Sequence, residues 1–318
     1  MKILKLITLF VFGFGNLLSQ SNTYNVPSRE IGKNIKYDTY FNKRDLSFGL
    51  KMSKVNASSY FDKEGYTIST FLDTAYLGQY DRFYNIELEK LTFDLFANKR
   101  FGEKFSLEFR LPISYYTLDE VYAELYDTVN NQTLPKENKA NFSLFIIDYL
   151  ESKAIYSLME GTFDFDLAMT FRLPFGSENG VAINSRGFWS DNAIELLPEF
   201  RFGVNMEKFN FGLGLAYNIR GEDLEDRLMT RFYIGLYSIP DSYISANFEW
   251  ANSLVSFDQA VPFNVRKEPN VEDYFETNIL FGVLLTDDIG LDFSYKIRLL
   301  GKNSWNYFGY KLGVFYRL

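Results

Sequence analysis

The chain has 318 residues, a formal net charge of −8 and a pI near 4.9, a balance that argues against nucleic acid as a partner. It contains no His and no Cys, which excludes imidazole proton transfer and disulfides and removes the imidazole and thiolate ligands on which zinc catalysis and soft-metal sites mostly depend, so no cofactor is expected. Its 33 Phe and 23 Tyr sit beside a slightly negative mean hydropathy of −0.17, a combination explained by strands with one apolar and one polar face.

Residues 1–20 read as a secretory signal: Lys2 and Lys5 give the positive start, Ile3 to Phe14 the apolar run, and Ser19 or Ser21 a small residue near the cleavage site. That run is too short for a membrane-spanning helix, and no later window holds 18 uncharged apolar residues. Residues 21–43 are polar and unperiodic, and read as a periplasmic leader that is either disordered or enters the lumen.

Residues 44–318 alternate with a period of two, the mark of strands with different environments on their two faces. Strands are expected at 44–58, 84–100, 104–118, 141–158, 162–174, 192–206, 209–220, 227–238, 243–256, 271–286, 289–300 and 306–318. The last of these is the clearest. Phe308, Tyr310, Leu312, Val314, Tyr316 and Leu318 share one face, and Tyr307, Gly309, Lys311, Gly313, Phe315 and Arg317 the other. An amphipathic, aromatic-rich strand at the end of the chain needs a partner for its free edge, and closing a barrel supplies one. Short connections near 101–104, 160–162, 207–209, 239–242 and 287–290 alternate with longer ones near 61–82, 119–140, 174–191, 221–226, 257–270 and 301–305. That is the pattern of short periplasmic turns and long extracellular loops. The expected fold is therefore all-β: a transmembrane antiparallel up-and-down barrel of about 12 strands in the outer membrane of a Gram-negative bacterium. A soluble sandwich would share the periodicity, and the signal segment and Phe/Tyr density weigh against it.

Three places break the pattern. The alternation slips around Lys90, which predicts a bulge or a strand rising above the bilayer. Asp148 shares a face with Leu144, Ile146 and Leu150, which predicts a register fault or an Asp outside the lipid band. Residues 66–76 have the composition of a further strand, which with a partner makes fourteen.

Several segments of 44–318 resemble the outer-membrane β-barrel transporters described as "MetA-pathway of phenol degradation" proteins. The resemblance rests on Leu46–Ser47–Phe48–Gly49–Leu50 and the loop Tyr60 to Gly65. It extends to the turn Lys99 to Phe105 running into Phe109–Arg110–Leu111–Pro112–Ile113–Ser114–Tyr115, to Asp148 to Tyr156 with Lys153, and to Leu173–Pro174–Phe175–Gly176–Ser177. The chain lacks the Gly-Asp that usually precedes the first segment and carries Phe175 where the family usually has Thr. The resemblance implies transport of a small, aromatic or hydrophobic solute.

With a wet interior, the polar faces line the lumen. The lumen-lining candidates are Glu108, Arg110, Asp164, Asp166, Arg172, Glu199, Arg201, Arg220, Arg231, Asp292, Lys296 and Arg298. Lys153, Lys311, Arg317, Glu151, Glu195, Glu249 and Glu276 fall on the same faces, and inward Tyr233, Tyr237, Tyr307 and Phe315 offer ring surfaces. The mixed charge fits either a narrow polar channel or an interior closed by ion pairs. The pairs Asp164/Asp166 and Glu195/Glu199 have the two carboxylates that glycosidase chemistry needs, but charge balance by Arg172 and Arg201 is the simpler account, and no catalytic residue is assigned. The acids Glu222, Asp223, Glu225 and Asp226, and Asp119, Glu120, Glu124 and Asp127, offer oxygen ligands without EF-hand spacing and read as solvated loop charge, so no metal is expected. The function expected is passive passage of a small solute, the alternative a closed structural or surface-binding barrel acting through its loops. The expected partners are outer-membrane lipid, periplasmic chaperones, the barrel-assembly machinery and the solute.

Overall fold

The computed structural model describes residues 46–68, 70–73, 80–102, 104–127, 132–134, 138–159, 161–175, 194–206, 209–221, 225–236, 242–255, 271–286 and 288–317. The expected signal segment and leader lie outside the described residues. Sixteen strands form one antiparallel sheet: β1 (Leu46–Phe61), β2 (Thr67–Ile68), β3 (Thr70–Asp73), β4 (Tyr80–Phe101), β5 (Phe105–Asp127), β6 (Gln132–Leu134), β7 (Asn138–Ile147), β8 (Tyr149–Met159), β9 (Phe163–Pro174), β10 (Glu195–Asn205), β11 (Phe209–Arg220), β12 (Arg227–Leu236), β13 (Ser242–Ser253), β14 (Asp273–Leu284), β15 (Ile289–Lys302) and β16 (Ser304–Arg317). Each main strand pairs with its neighbours in the chain, β1 pairs with both β16 and β4, and the sheet closes. β7 and β8 follow one another along β5 and make a single stave. The barrel thus has twelve staves, the count expected from the alternation.

Fourteen staves are ruled out by the position of residues 66–68 and 70–73. β2 pairs only with the top of β1, at Tyr60 and Phe61, and β3 only with β4, at Thr70 to Asp73 opposite Asn85 to Arg82. They fill the rim above the β1–β4 seam instead of inserting into the wall. The alternation at Lys90 also holds: β4 turns Leu88, Thr92, Asp94 and Asn98 inward and Phe93 and Leu95 outward, and its bulge lies higher, between Phe83 and Tyr84. The acids 119–127 belong to β5 and not to a loop, because the β4–β5 hairpin runs 22 and 23 residues, well beyond the roughly 9–11 that cross a bilayer. The last connection is tighter than expected: Lys302 and Ser304 are joined through Asn303 alone, at φ 50°, a left-handed conformation that Asn tolerates.

At Asp148 the register between β5 and the β7–β8 stave shifts by one residue. Ile113 pairs with Ile147 and Arg110 with Glu151, so two residues of β5 face three of the partner stave. This extra residue is a β-bulge, and it sends Asp148 inward. Opposite it lies Pro112, whose missing N–H suits a bulge better than a regular ladder.

The outer face is apolar in a continuous belt. Phe48, Leu50, Phe93, Leu95, Phe109, Tyr156, Leu167, Phe200, Leu213, Leu215, Phe232, Ile244, Ile279, Phe281, Phe293, Tyr310 and Leu312 all point out and are exposed. So much exposed Phe and Leu on a closed sheet is the surface a barrel presents to lipid, whereas a sandwich buries its apolar face. The interior is polar in its middle, with small apolar clusters at both ends. Leu197, Ala216, Met229, Ala251 and Tyr274 pack toward the loop end, and Tyr243, Leu284 and Phe315, with Phe96 and Leu280, toward the turn end.

Candidate functional site

The interior holds a cavity of about 520 Å³. Its walls come from inward residues of nearly every stave, because a period of two on an antiparallel barrel places one side chain in every pair inside. Eight of the twelve residues singled out in the sequence line it: Glu108, Arg110, Arg172, Glu199, Arg201, Arg231, Asp292 and Lys296. The other four are buried away from it. Asp164 and Asp166 lie toward the turn end, where Asp164 accepts from the Gly161 N–H (3.0 Å) and Asp166 from the Ser157 hydroxyl (2.8 Å). Arg220 packs at the loop end against Glu195 (3.3 Å), and Arg298 beside Glu272 and Glu276. Tyr233 and Tyr307 also line the cavity, Phe315 lies in the turn-end cluster, and Tyr237 is outside the described residues.

The charged groups are wired around the wall. From β16 to β11 the chain of pairs runs Lys311 to Asp94, Asp94 to Arg110, Arg110 to Glu151 (3.5 Å), Glu151 to Arg172 (2.6 Å), Arg172 to Glu195 (2.9 Å) and Glu195 to Arg220. A second set centres on Glu199, which meets Arg201 at 2.7 Å, Arg231 at 2.9 Å and Lys153 at 3.9 Å; Arg231 continues to Glu249 at 2.7 Å. A third joins Lys296 to Glu276 and Glu276 to Arg298, and from there reaches Glu272 and Arg227. Lys51 meets Asp292 at 3.0 Å. Many of these partners are cross-strand neighbours, such as Glu151 and Arg172, so the sheet register itself sets the pairing.

Four lumen groups were absent from the sequence reading: Lys51, Lys90, Asp94 and Asp148. The apparent slip at Lys90 and the apolar company of Asp148 obscured two of them. The run Leu91, Phe93, Leu95 on β4 and the run Phe48, Leu50, Met52 on β1 already imply that Asp94 and Lys51 face inward. Asp148 is fully enclosed and receives the Ser114 hydroxyl at 2.6 Å, the Tyr116 hydroxyl at 2.8 Å and the Lys90 ammonium at 2.8 Å.

Three aromatic rings pack closely against glycines of the adjacent strand: Tyr233 against Gly212, Tyr243 against Gly282 and Phe315 against Gly290. A Cβ at Gly290 falls 1.8 Å from the Phe315 ring, so only glycine admits that ring against the wall. Other rings are covered by cations. The Arg298 guanidinium sits 4.1 Å from the centroid of Tyr274 and 4.7 Å from that of Tyr307, Arg172 lies 5.2 Å from Tyr149, and Lys51 lies 5.1 Å from Phe96.

Among the described residues no group of three or more acidic side chains is arranged to hold a metal ion. Asp226, one of the loop acids, serves its own turn by accepting from the Arg220 N–H (3.0 Å) and the Tyr217 hydroxyl (2.7 Å).

Neither a protein-family model nor a curated protein matches the sequence. Solved structures do. An outer-membrane channel from Pseudomonas putida F1 superposes with a TM-score of 0.55 at 10% identity, over 93% of this chain and 100% of that one. The fold is that of an outer-membrane β-barrel. The NanC porin (TM-score 0.47, 8% identity, 85% of this chain and 100% of that one) and the KdgM porin (0.45, 8%, 86% and 99%) also match.

Proposed function

We propose that the chain is an outer-membrane channel of a Gram-negative bacterium that lets a small polar solute cross passively and performs no chemistry on it. The observation that carries this reading is a charged cavity of about 520 Å³ inside a closed barrel whose outer face is apolar. Apolar outside and polar inside is what a water-containing passage through lipid requires. Non-enzymic function is supported by the state of one pair of carboxylates: Glu195 and Glu199 are each engaged by two or more cations, which suits counter-ions and leaves neither of the two free to act as a general acid. A polar solute is favoured over an aromatic one because Arg and Lys groups already cover the Phe96, Tyr149 and Tyr307 rings that a flat apolar solute would stack on.

The test is single-channel recording of the purified, refolded protein in a planar bilayer. Discrete conductance steps from a preparation whose gel mobility shifts on heating are the expected result. A folded barrel that stays electrically silent overturns the channel and leaves a scaffold acting through its loops.

A further inference from the structure

The interior is close to charge-balanced in composition, yet the two signs do not share the water equally. In one ion pair after another the carboxylate is packed against the wall and the cation stands in the lumen. Asp94 is 4% exposed and its partner Arg110 34%; Glu195 is 2% exposed and Arg172 34%. Glu276 is 7% exposed and Lys296 43%; Asp292 is 4% exposed and Lys51 22%. Glu199 is fully enclosed while Arg231 is 24% exposed. The pattern belongs to the pairs that border the cavity and not to every interior pair: Glu249 matches Arg231 in exposure, Lys90 is 12% exposed, Lys153 and Arg201 are buried, and Arg220, Arg227 and Arg298, outside the cavity lining, are as enclosed as their carboxylates.

The cause is side-chain length. An Asp or Glu on a stave reaches little further than the wall, where donors from neighbouring staves hold it. Arg and Lys lay their methylenes along the same wall and carry the charge on into water. Each pair is then a dipole with its positive end toward the bore. A ring of such dipoles gives the water-filled space a positive potential even where the summed charge is near zero, and cationic rings admit anions and repel cations.

We infer that this lumen selects small anions, carboxylates or phosphates, although the chain as a whole is acidic. The inference rests on the channel reading above and names its solute class. The array Arg110, Arg172, Arg231, Lys296, Lys51 and Lys311 supplies the contacts: guanidinium forks pair with two oxygens of an oxyanion, and the lysines act as point charges.

The experiment is the reversal potential of the full-length channel across a KCl gradient, followed by replacement of chloride on one side with acetate or with phosphate. The expected zero-current potential lies toward the chloride equilibrium value, and acetate and phosphate each carry current. If only one does, that oxyanion is the class served. Neutralising Lys311 and Lys296 to Gln shifts the reversal potential toward zero while single-channel steps persist. Should a variant fail to fold, the wild-type reversal potential still decides. A potential on the potassium side, or one at zero, overturns the anion inference and leaves the channel reading intact; absence of any conductance overturns the channel reading.

Discussion

Replacing Glu199 by Gln keeps its shape and removes its charge, and the structure sets the expected cost. The carboxylate is wholly enclosed and receives Arg201 at 2.7 Å, Arg231 at 2.9 Å and Lys153 at 3.9 Å. Arg231 is part-exposed and retains Glu249, so it loses little. Arg201 is 3% exposed and Lys153 8%, and neither has an easy route to water. Removing one member of a buried pair costs about 3–5 kcal/mol, because the remaining charge stays desolvated and uncompensated. Relaxation of Arg231 places the expectation near the lower end, at about 3 kcal/mol. The assay is reversible urea unfolding of the barrel in lipid vesicles, followed by the fluorescence of its 3 Trp residues, comparing midpoints at equal slope. Adding Arg201→Met to Glu199→Gln is expected to recover about 1–2 kcal/mol, since the two residues share one network. A loss below about 1 kcal/mol, the worth of an exposed pair, refutes the argument: the carboxylate is then hydrated, and the dry wall behind the cationic lumen does not exist.

Leu215→Arg places a charge at an outward position in the middle of β11 and is expected to destabilise the vesicle-inserted barrel by about 2–4 kcal/mol in the same urea titration; a neutral result means that this face does not meet lipid. Gly290→Ala forces the Phe315 ring off the wall at a cost of about 1–3 kcal/mol, and adding Phe315→Ala is expected to relieve part of it; additive losses exclude the ring-on-glycine contact as the cause.

The stave count and most of the inward-facing charges were legible because the barrel repeats one simple rule. Every second residue meets lipid, so Phe211, Leu213, Leu215 and Tyr217 declare one face of β11, and Gly212, Gly214, Ala216 and Asn218 the other. The rule fails where a residue is inserted. Asp148 reads as a polar intrusion among Leu144, Ile146 and Leu150, and only the pairing with β5 shows that the face changes there. The rim strands β2 and β3 misled in the opposite sense, since local composition favours strand but the wall has no opening for another stave. The choice between stave and rim is made by closure of β1 on β4, a long-range event. The sign of the wet surface was equally hidden. A list of inward Arg and Glu residues gives a balance, and which of them reaches water depends on partners brought together by cross-strand register.

A uniformly alternating sheet has a weakness in assembly: sliding one strand past its neighbour by two residues preserves every inside and every outside. The particular partners of the charges resist that error, and so do bulges on several seams. The seam between β5 and the β7–β8 stave has a notch as well. Pro112 offers no N–H, and the partner carries a surplus residue opposite it. Shifted by two, Asp148 loses Ser114, Tyr116 and Lys90 together, and Pro112 confronts a ladder carbonyl that finds no donor. The fit between a proline and a bulge therefore acts as a lock and key within a single sheet, fixing one seam of the cylinder to one position and, through closure, biasing the stagger of the whole.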